Sequence, residues 1–257
     1  MSFKIASWNV NSLKVRLPHV SDWLTSAKPD VLALQETKST DENFPVNAIE
    51  ELGYQVSFTG QKTYNGVAII SKSKQNMIAN ELPVYDDPQK RVLACSIDDI
   101  IILDLYVPNG SEVDSEKYRY KLEWFSHLHP FVDSLLEQNS KVIILGDFNI
   151  APEDKDVHDP AEWEGSVLVS DKERAEFRQL IDKGFVDTFR LFEQADESFS
   201  WWDYRAAAFR RNRGLRIDHV LASRELQACC IKSYIDKEPR KLERPSDHTP
   251  VVAEFDL

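Results

Sequence analysis

Two residues in the stretch 141–150, KVIILGDFNI, combine type and spacing in a way that could do chemistry: the carboxylate Asp147 and the carboxamide Asn149. On an extended backbone residues i and i+2 point to the same side. Both can therefore reach past the end of the apolar run 142–145, and Pro152 stops regular pairing soon after. Taken alone, the motif also fits an Asx turn behind a buried strand. Its recurrence is what points to a site. Residues 4–10 end in Asn9 and Asn11, 31–34 runs into Glu36, and 100–106 carries Tyr106 at its tip. Residues 216–222 hold Asp218, and Asp247 with His248 occupies a Pro-bounded loop at 244–250. A strand buried on two faces has little use for a carboxylate, because an unpaired buried charge is costly. Acidic and amide groups delivered repeatedly to strand ends describe a polar pocket at one sheet edge.

The donors in that pocket are oxygens plus one imidazole, with no thiolate. Such a set favours a hard cation, Mg²⁺ or Mn²⁺, held by one or two carboxylates such as Glu36 and Asp247 with Asn9 beside them. A carboxylate bonded to one nitrogen of His248, with Asp218 the candidate, would fix the tautomer and favour the cation. That cation could then donate to a phosphate oxygen as charge builds.

These residues need an alternation of strands and helices to bring them together. Leu17, Val20, Trp23 and Leu24 recur at helical spacing in 13–28, and Tyr118, Leu122, Phe125, Leu128, Phe131 and Leu135 do so in 115–138, with Pro130 kinking or dividing that helix. A further short helix is expected at 44–52, ended by Gly53. Residues 54–58 and 66–71 read as paired strands, as do 91–97 and 100–106. Residues 151–169 read as a long irregular loop, Ser170 to Glu173 as a capping box for a helix through Lys183, 198–204 as a strand or strand end dense in aromatics, and 251–255 as the closing strand. No linker or low-complexity tract interrupts the 257 residues, so one α/β domain, 1–257, with two sheets is expected, an arrangement that an internal duplication would produce.

Composition narrows the class. Apolar residues make up 42% and aromatics 11%, as in a folded globular chain. No apolar run is long enough for a membrane helix, and no secretory signal opens the sequence. Three sparse cysteines form neither a disulfide framework nor a zinc site, so a reducing cytoplasm is expected. The net charge of −12 argues against a nonspecific nucleic-acid coat but not against a local basic face.

The segments SWNVN (7–11), LQETK (34–38), YNGVA (64–68), YVPNG (106–110), LGDFN (145–149), FSWWDYR (199–205), GLRIDHVLAS (214–223) and PSDHTPV (245–251) together resemble the exonuclease III family of DNA-repair nucleases, within the endonuclease/exonuclease/phosphatase superfamily. The match runs in order along essentially the whole chain. It implies a two-layer β-sandwich of mixed sheets flanked by helices, the DNase I-like fold. It also implies Mg²⁺-dependent cleavage of double-stranded DNA beside abasic sites and trimming of blocked 3′ ends, with Mn²⁺ as a substitute, one or two ions, and a monomer. Carried onto this chain, Glu36 is the principal metal ligand, supported by Asn9 and Asp247. Asp147 orients or deprotonates the attacking water, Asn149 and His248 grip the phosphate with Asp218 behind His248, and Tyr106 touches the phosphate or leaving oxygen. A second metal position would involve Asp147, Asn149 and His248. Asn11 stands where some members carry aspartate, which implies a tuned metal affinity.

The resemblance also assigns DNA contacts. Between Asp203 and Arg216 stand Arg205, Arg210, Arg211, Arg213 and Arg216 against one acid, a basic face that could hold backbone phosphates. Trp201, Leu215 and Ile217 resemble an apolar pocket for a base-free deoxyribose, and Lys38, Tyr64 and Asn109 fall at loop contacts to phosphates. Two rival readings are a same-fold phosphatase or phosphodiesterase on a non-DNA phosphoester and a catalytically silent nucleic-acid binder. The first leaves the arginine loop without a purpose, and the second is disfavoured because no catalytic group is missing.

Overall fold

The computed structural model of the chain describes residues 2–257. Twelve strands form two six-stranded sheets. The first contains β1 (Ser2–Asn9), β2 (Val31–Gln35), β3 (Gln55–Thr59) and β4 (Val67–Ser71), together with β11 (Cys230–Ile235) and β12 (Val251–Asp256), in the order β11-β12-β1-β2-β4-β3. The second contains β5 (Gln75–Ala79), β6 (Val92–Ile97), β7 (Ile100–Tyr106), β8 (Val142–Asp147), β9 (Phe185–Asp187) and β10 (Asp218–Ser223), in the order β5-β6-β7-β8-β10-β9. Each sheet has one parallel pair, β1 with β2 and β7 with β8, flanked by antiparallel neighbours in the same succession. The two halves thus repeat one topology.

Side-chain alternation explains how the sheets stack. Ile143 and Leu145 of β8 face the first sheet, meeting Ile5, Ala33 and Ile69, while Val142 and Ile144 face the other way. That outer face is covered by α3 (Glu116–Gln138) and α5 (Asp171–Asp182), whose Phe125, Leu128, Phe177 and Leu180 pack on Leu103 and Ile144. The outer face of the first sheet takes α1 (Leu13–Ala27), through Val20, Trp23 and Leu24 against Trp8 and Leu32. Each such fully buried aliphatic or aromatic side chain contributes about 1.5–3 kcal/mol relative to exposure. Two short helices, α2 (Val46–Glu50) and α4 (Pro160–Trp163), and α6 (Arg224–Gln227) complete the chain.

Several expectations need correction. Pro130 lies on the exposed face of α3 and does not divide it. Residues 198–204 are not a strand: Trp201 makes isolated bridges to Leu215 and His248, and Asp203 starts a turn by accepting from the Arg205 N–H. Asp218 is the first residue of β10, which starts two residues later than the run 216–222 suggests. The loop 151–169 contains α4 and a 3₁₀ turn at Asp154–Asp156. The edge strands β5, β9 and β11 carried no clear alternation in the sequence.

Candidate active site

The polar residues meet where the parallel pairs of the two sheets end. Asn9 is the last residue of β1, Glu36 follows β2, Tyr106 ends β7 and Asp147 ends β8. Backbone geometry turns sharply just beyond. Glu36, Lys38 and Asn149 have φ of 51°, 50° and 50°, a left-handed conformation that non-glycine residues hold only when neighbours fix it. At Gly146, φ is 144° and a Cβ would lie 1.9 Å from the Leu105 carbonyl oxygen, so only glycine lets β8 approach β7 at this level. The Asn149 N–H donates to Asp147 Oδ1 at 2.9 Å. The Asx turn is therefore formed, and it leaves Asp147 Oδ2 facing Asn9 and His248.

Asn9 is the hub between the acids. Its Nδ2 donates to Glu36 Oε1 and to Asp147 Oδ2, both at 2.9 Å. Across from Asp147 Oδ2, at 3.7 Å, is His248 Nε2. The other ring nitrogen, Nδ1, lies 2.9 and 3.0 Å from the two oxygens of Asp218, which also accepts from the Ser200 hydroxyl at 2.6 Å. Burial opposes charge on His248, but Asp218 and then Asp147 outweigh it and push its pKa up to about 10, so the imidazolium stands at neutral pH. Burial drives Asp147 in the other direction from a normal carboxylate, up to about 7; His248 and Asn9 oppose this, and Asp218 and Glu36 add to it. The Tyr106 hydroxyl is raised well above its usual range by burial and by facing Glu36 and Asp147, while Arg91 stacks over its ring at 4.6 Å.

The side-chain amide of Asn149 is held at both ends. Its Oδ1 accepts from Asn109 Nδ2 at 2.9 Å and its Nδ2 donates to the Val107 carbonyl at 3.0 Å. Asp247 is not part of the tight group. Its oxygens accept from Asn11 Nδ2 at 2.9 Å and Trp201 Nε1 at 3.1 Å, and these with His248 hold it below the usual carboxylate range despite its burial.

Comparison with known proteins fits this geometry. The model for the endonuclease/exonuclease/phosphatase family matches residues 6–248. The chain belongs to that family. It is 35% identical to the exodeoxyribonuclease III of Haemophilus influenzae, over 98% of this chain and 99% of that protein. Two solved structures superpose over 99% of this chain and 100% of theirs: a 3′ phosphatase from Neisseria bound to product DNA hairpin, at 44% identity and a TM-score of 0.97, and an AP endonuclease from Archaeoglobus fulgidus, at 38% and 0.96. The expected kinship with exonuclease III and the DNase I-like sandwich both stand, and the chain is a hydrolase of that endonuclease/exonuclease/phosphatase group.

For a metal, the carboxylate and amide donors fit a hard cation. Ligand atoms of Glu36, Asp147 and His248 lie within 4.8 Å of one another, the one such group among the described residues. Lys38 Nζ stands 2.9 Å from Glu36 Oε2, so a divalent ion there would compete with an ammonium for that oxygen. Asp247, expected beside Glu36, is linked to it indirectly: Asn11, which donates to Asp247, accepts from Lys38 Nζ at 2.5 Å and donates its N–H to Asn9 Oδ1 at 2.9 Å, and Lys38 and Asn9 both touch Glu36.

The expected DNA contacts divide. Arg205, Arg210 and Arg211 are exposed on the loop after Trp202. Arg216 is not on that face: it is buried and paired with Asp156 and Asp187, each at 2.7 Å. Arg213 is engaged by Glu162. Leu215 and Ile217 are closed into an apolar cluster with Ala151, Val157, Leu168 and Val169, so a pocket lined by them is not open; Trp201 alone of the three keeps exposed surface. Tyr64 is 67% exposed and borders a cavity of about 380 Å³ with Arg91, Tyr106, Asn109 and Lys117. Lys14, Lys38 and Lys62 border another of about 370 Å³. Neither is lined by a carboxylate, whereas a cavity of about 750 Å³ is lined by Asp114, Asp154, Glu164 and Asp171 together with Lys172 and Arg174. Lys14, Lys62 and Arg91 escaped sequence reasoning because they are scattered singly; only the fold collects them.

Proposed function

We propose that this chain is a Mg²⁺-dependent DNA-repair phosphodiesterase that cleaves DNA 5′ to abasic sites and clears blocked 3′ ends. The observation carrying this is the 3.7 Å approach of His248 Nε2 to Asp147 Oδ2, with Glu36 in the same cluster. It puts a proton acceptor and a proton donor on either side of one small polar gap. Asp147, with its raised pKa, takes a proton from the attacking water. Asn9 holds the carboxylate that does so. His248, fixed by Asp218, turns Nε2–H to a phosphate oxygen, and Asn149 and Tyr106 add neutral donors as charge grows on phosphorus oxygens. Glu36, supported by Asn9 and Asp247, would hold Mg²⁺ (or Mn²⁺), which would supply Lewis acidity; a second ion at Asp147, Asn149 and His248 would require His248 to give up its Nε2 proton.

Substrate choice follows from what surrounds the gap. Lys38, Tyr64 and Asn109 on one side and Arg205, Arg210 and Arg211 on another give a duplex backbone cationic and polar partners despite the overall negative charge. Trp201 offers a flat apolar surface to a base-free sugar, with Leu215 and Ile217 behind it. We read the chain as one domain, 1–257, acting as a monomer in the cytoplasm; no helix among the described residues is long and apolar enough to cross a membrane.

The test is incubation with Mg²⁺ of an abasic-site duplex, a 3′-phosphate duplex and an inositol phosphate, each with and without EDTA. EDTA-sensitive cleavage of the DNA substrates is expected. Hydrolysis of the inositol phosphate with both DNA substrates intact would overturn the reading.

A further inference from the structure

Away from the reacting groups, α3 and α5 bury an ion pair with no solvent exposure at either side chain. Lys121 Nζ lies 2.5 Å from Glu173 Oε1. Burying such a pair brings no clear gain in stability, since desolvation offsets the attraction. What the ammonium touches besides Glu173 is informative: it donates to the Asn149 carbonyl at 2.7 Å and to the Asn109 carbonyl at 3.3 Å. Asn149 has φ of 50°, and Asn109 is the residue whose amide bonds the Asn149 side chain. One cation therefore fixes both the left-handed backbone of Asn149 and the partner of its side chain. Glu173 is itself immobilised, accepting from the Leu168 N–H at 3.0 Å and from the Ser170 N–H and hydroxyl at 3.2 and 2.6 Å. The Lys121 stem passes beneath Gly110, where a Cβ would stand 3.3 Å from its Cδ.

We infer that Lys121, anchored by Glu173, is a positioning residue for catalysis: it sets the backbone of Asn149 so that the amide meets the phosphate in the transition state. This rests on the role proposed above for Asn149. A displacement of about 1 Å of such a group costs about a hundredfold in rate. Because Lys121 itself never reaches substrate, its loss lowers kcat and leaves KM nearly alone.

The neutral pair Lys121→Met with Glu173→Gln removes both charges together and avoids stranding one of them. On a 3′-phosphate duplex with Mg²⁺, its kcat is expected to fall about a hundredfold with KM within about threefold of the parent. The control is Glu176→Ala, which breaks a different α3–α5 link, the 2.8 Å contact of Glu176 with His129. It should lower the melting temperature and leave kcat within about twofold. Lys121→Arg keeps the buried charge and its partner but shifts the donor by the width of a guanidinium, and it decides the matter if the neutral pair does not fold. About a tenfold loss of kcat at unchanged KM is expected of it. Unchanged kcat in a folded Lys121 variant, or an equal loss in Glu176→Ala, overturns the inference. An inactive parent protein on every DNA substrate overturns instead the functional reading on which it depends.

Discussion

In the proposed reaction Asp147 accepts a proton, and burial, which resists its charge, lifts its pKa towards neutrality, to about 7. A base near the working pH combines a large unprotonated fraction with real proton affinity. Asp147→Asn keeps the shape and the Asn149 N–H contact but removes the basicity. Turnover should fall by about a thousandfold, while DNA affinity measured by filter binding stays within about threefold. A turnover close to the parent value would remove Asp147 from the reaction. His219, next to Asp218 in sequence, behaves oppositely. Its Nε2 donates to the Ile150 carbonyl at 2.9 Å and its Nδ1 accepts from Arg216 at 3.1 Å, so the ring is held neutral. Burial first and Arg216 second depress its pKa to about 4. The unfolded chain, titrating near pH 6.5, then binds a proton that the folded chain refuses, so stability falls as pH drops from about 6.5 to about 4 and is level below. The loss amounts to about 3 kcal/mol for this fully buried ring. Urea midpoints at pH 7 and pH 5 should converge in His219→Gln relative to the parent; an identical pH slope in the two proteins would contradict the neutral assignment.

Element by element, the fold concentrates its constraint at the two parallel pairs. Gly146→Ala would drive a methyl group into the Leu105 carbonyl, separating β7 from β8 just below Tyr106 and Asp147. A cost of about 3 kcal/mol or more is expected, with activity lost alongside; a melting temperature within a degree or two of the parent would show that the strands can part cheaply. These pairs were also the most legible feature of the sequence. An apolar run ending in Asn, Glu or Asp is an anomaly that hydrophobic patterning exposes, and this marked Asn9, Glu36 and Asp147 from single residues. The capping box at Ser170 was equally plain, its reciprocal hydrogen bonds with Glu173 being local. What stayed hidden depends on packing. Lys121 and Glu173 look like ordinary charged positions of amphipathic helices until both helices are docked. Arg216 looked like one more surface arginine beside Arg213, because nothing nearby in sequence announces Asp156 and Asp187 as its partners. The edge strands β5 and β9 are short or one-sided and present no period to read.

At the scale of the whole molecule, an acidic protein must meet an acidic polymer. The net charge of −12 repels DNA at long range, so the proposed function makes attachment rely on local cations such as Lys38, Arg205, Arg210 and Arg211. Replacing Arg210 and Arg211 together with alanine should weaken duplex binding and flatten the slope of log affinity against log salt by up to about 1.8. An unaltered slope would locate the phosphate contacts elsewhere. The closing segment carries one more consequence. Glu36 and Asp147 lie in earlier parts of the chain, but His248 arrives only with the loop before β12, and its N–H, carbonyl and ring are tied to Ser246, Trp8 and Asp218 across the sandwich. In a chain made from its N-terminal side, His248 therefore joins Glu36 and Asp147 only once β12 has docked beside β1.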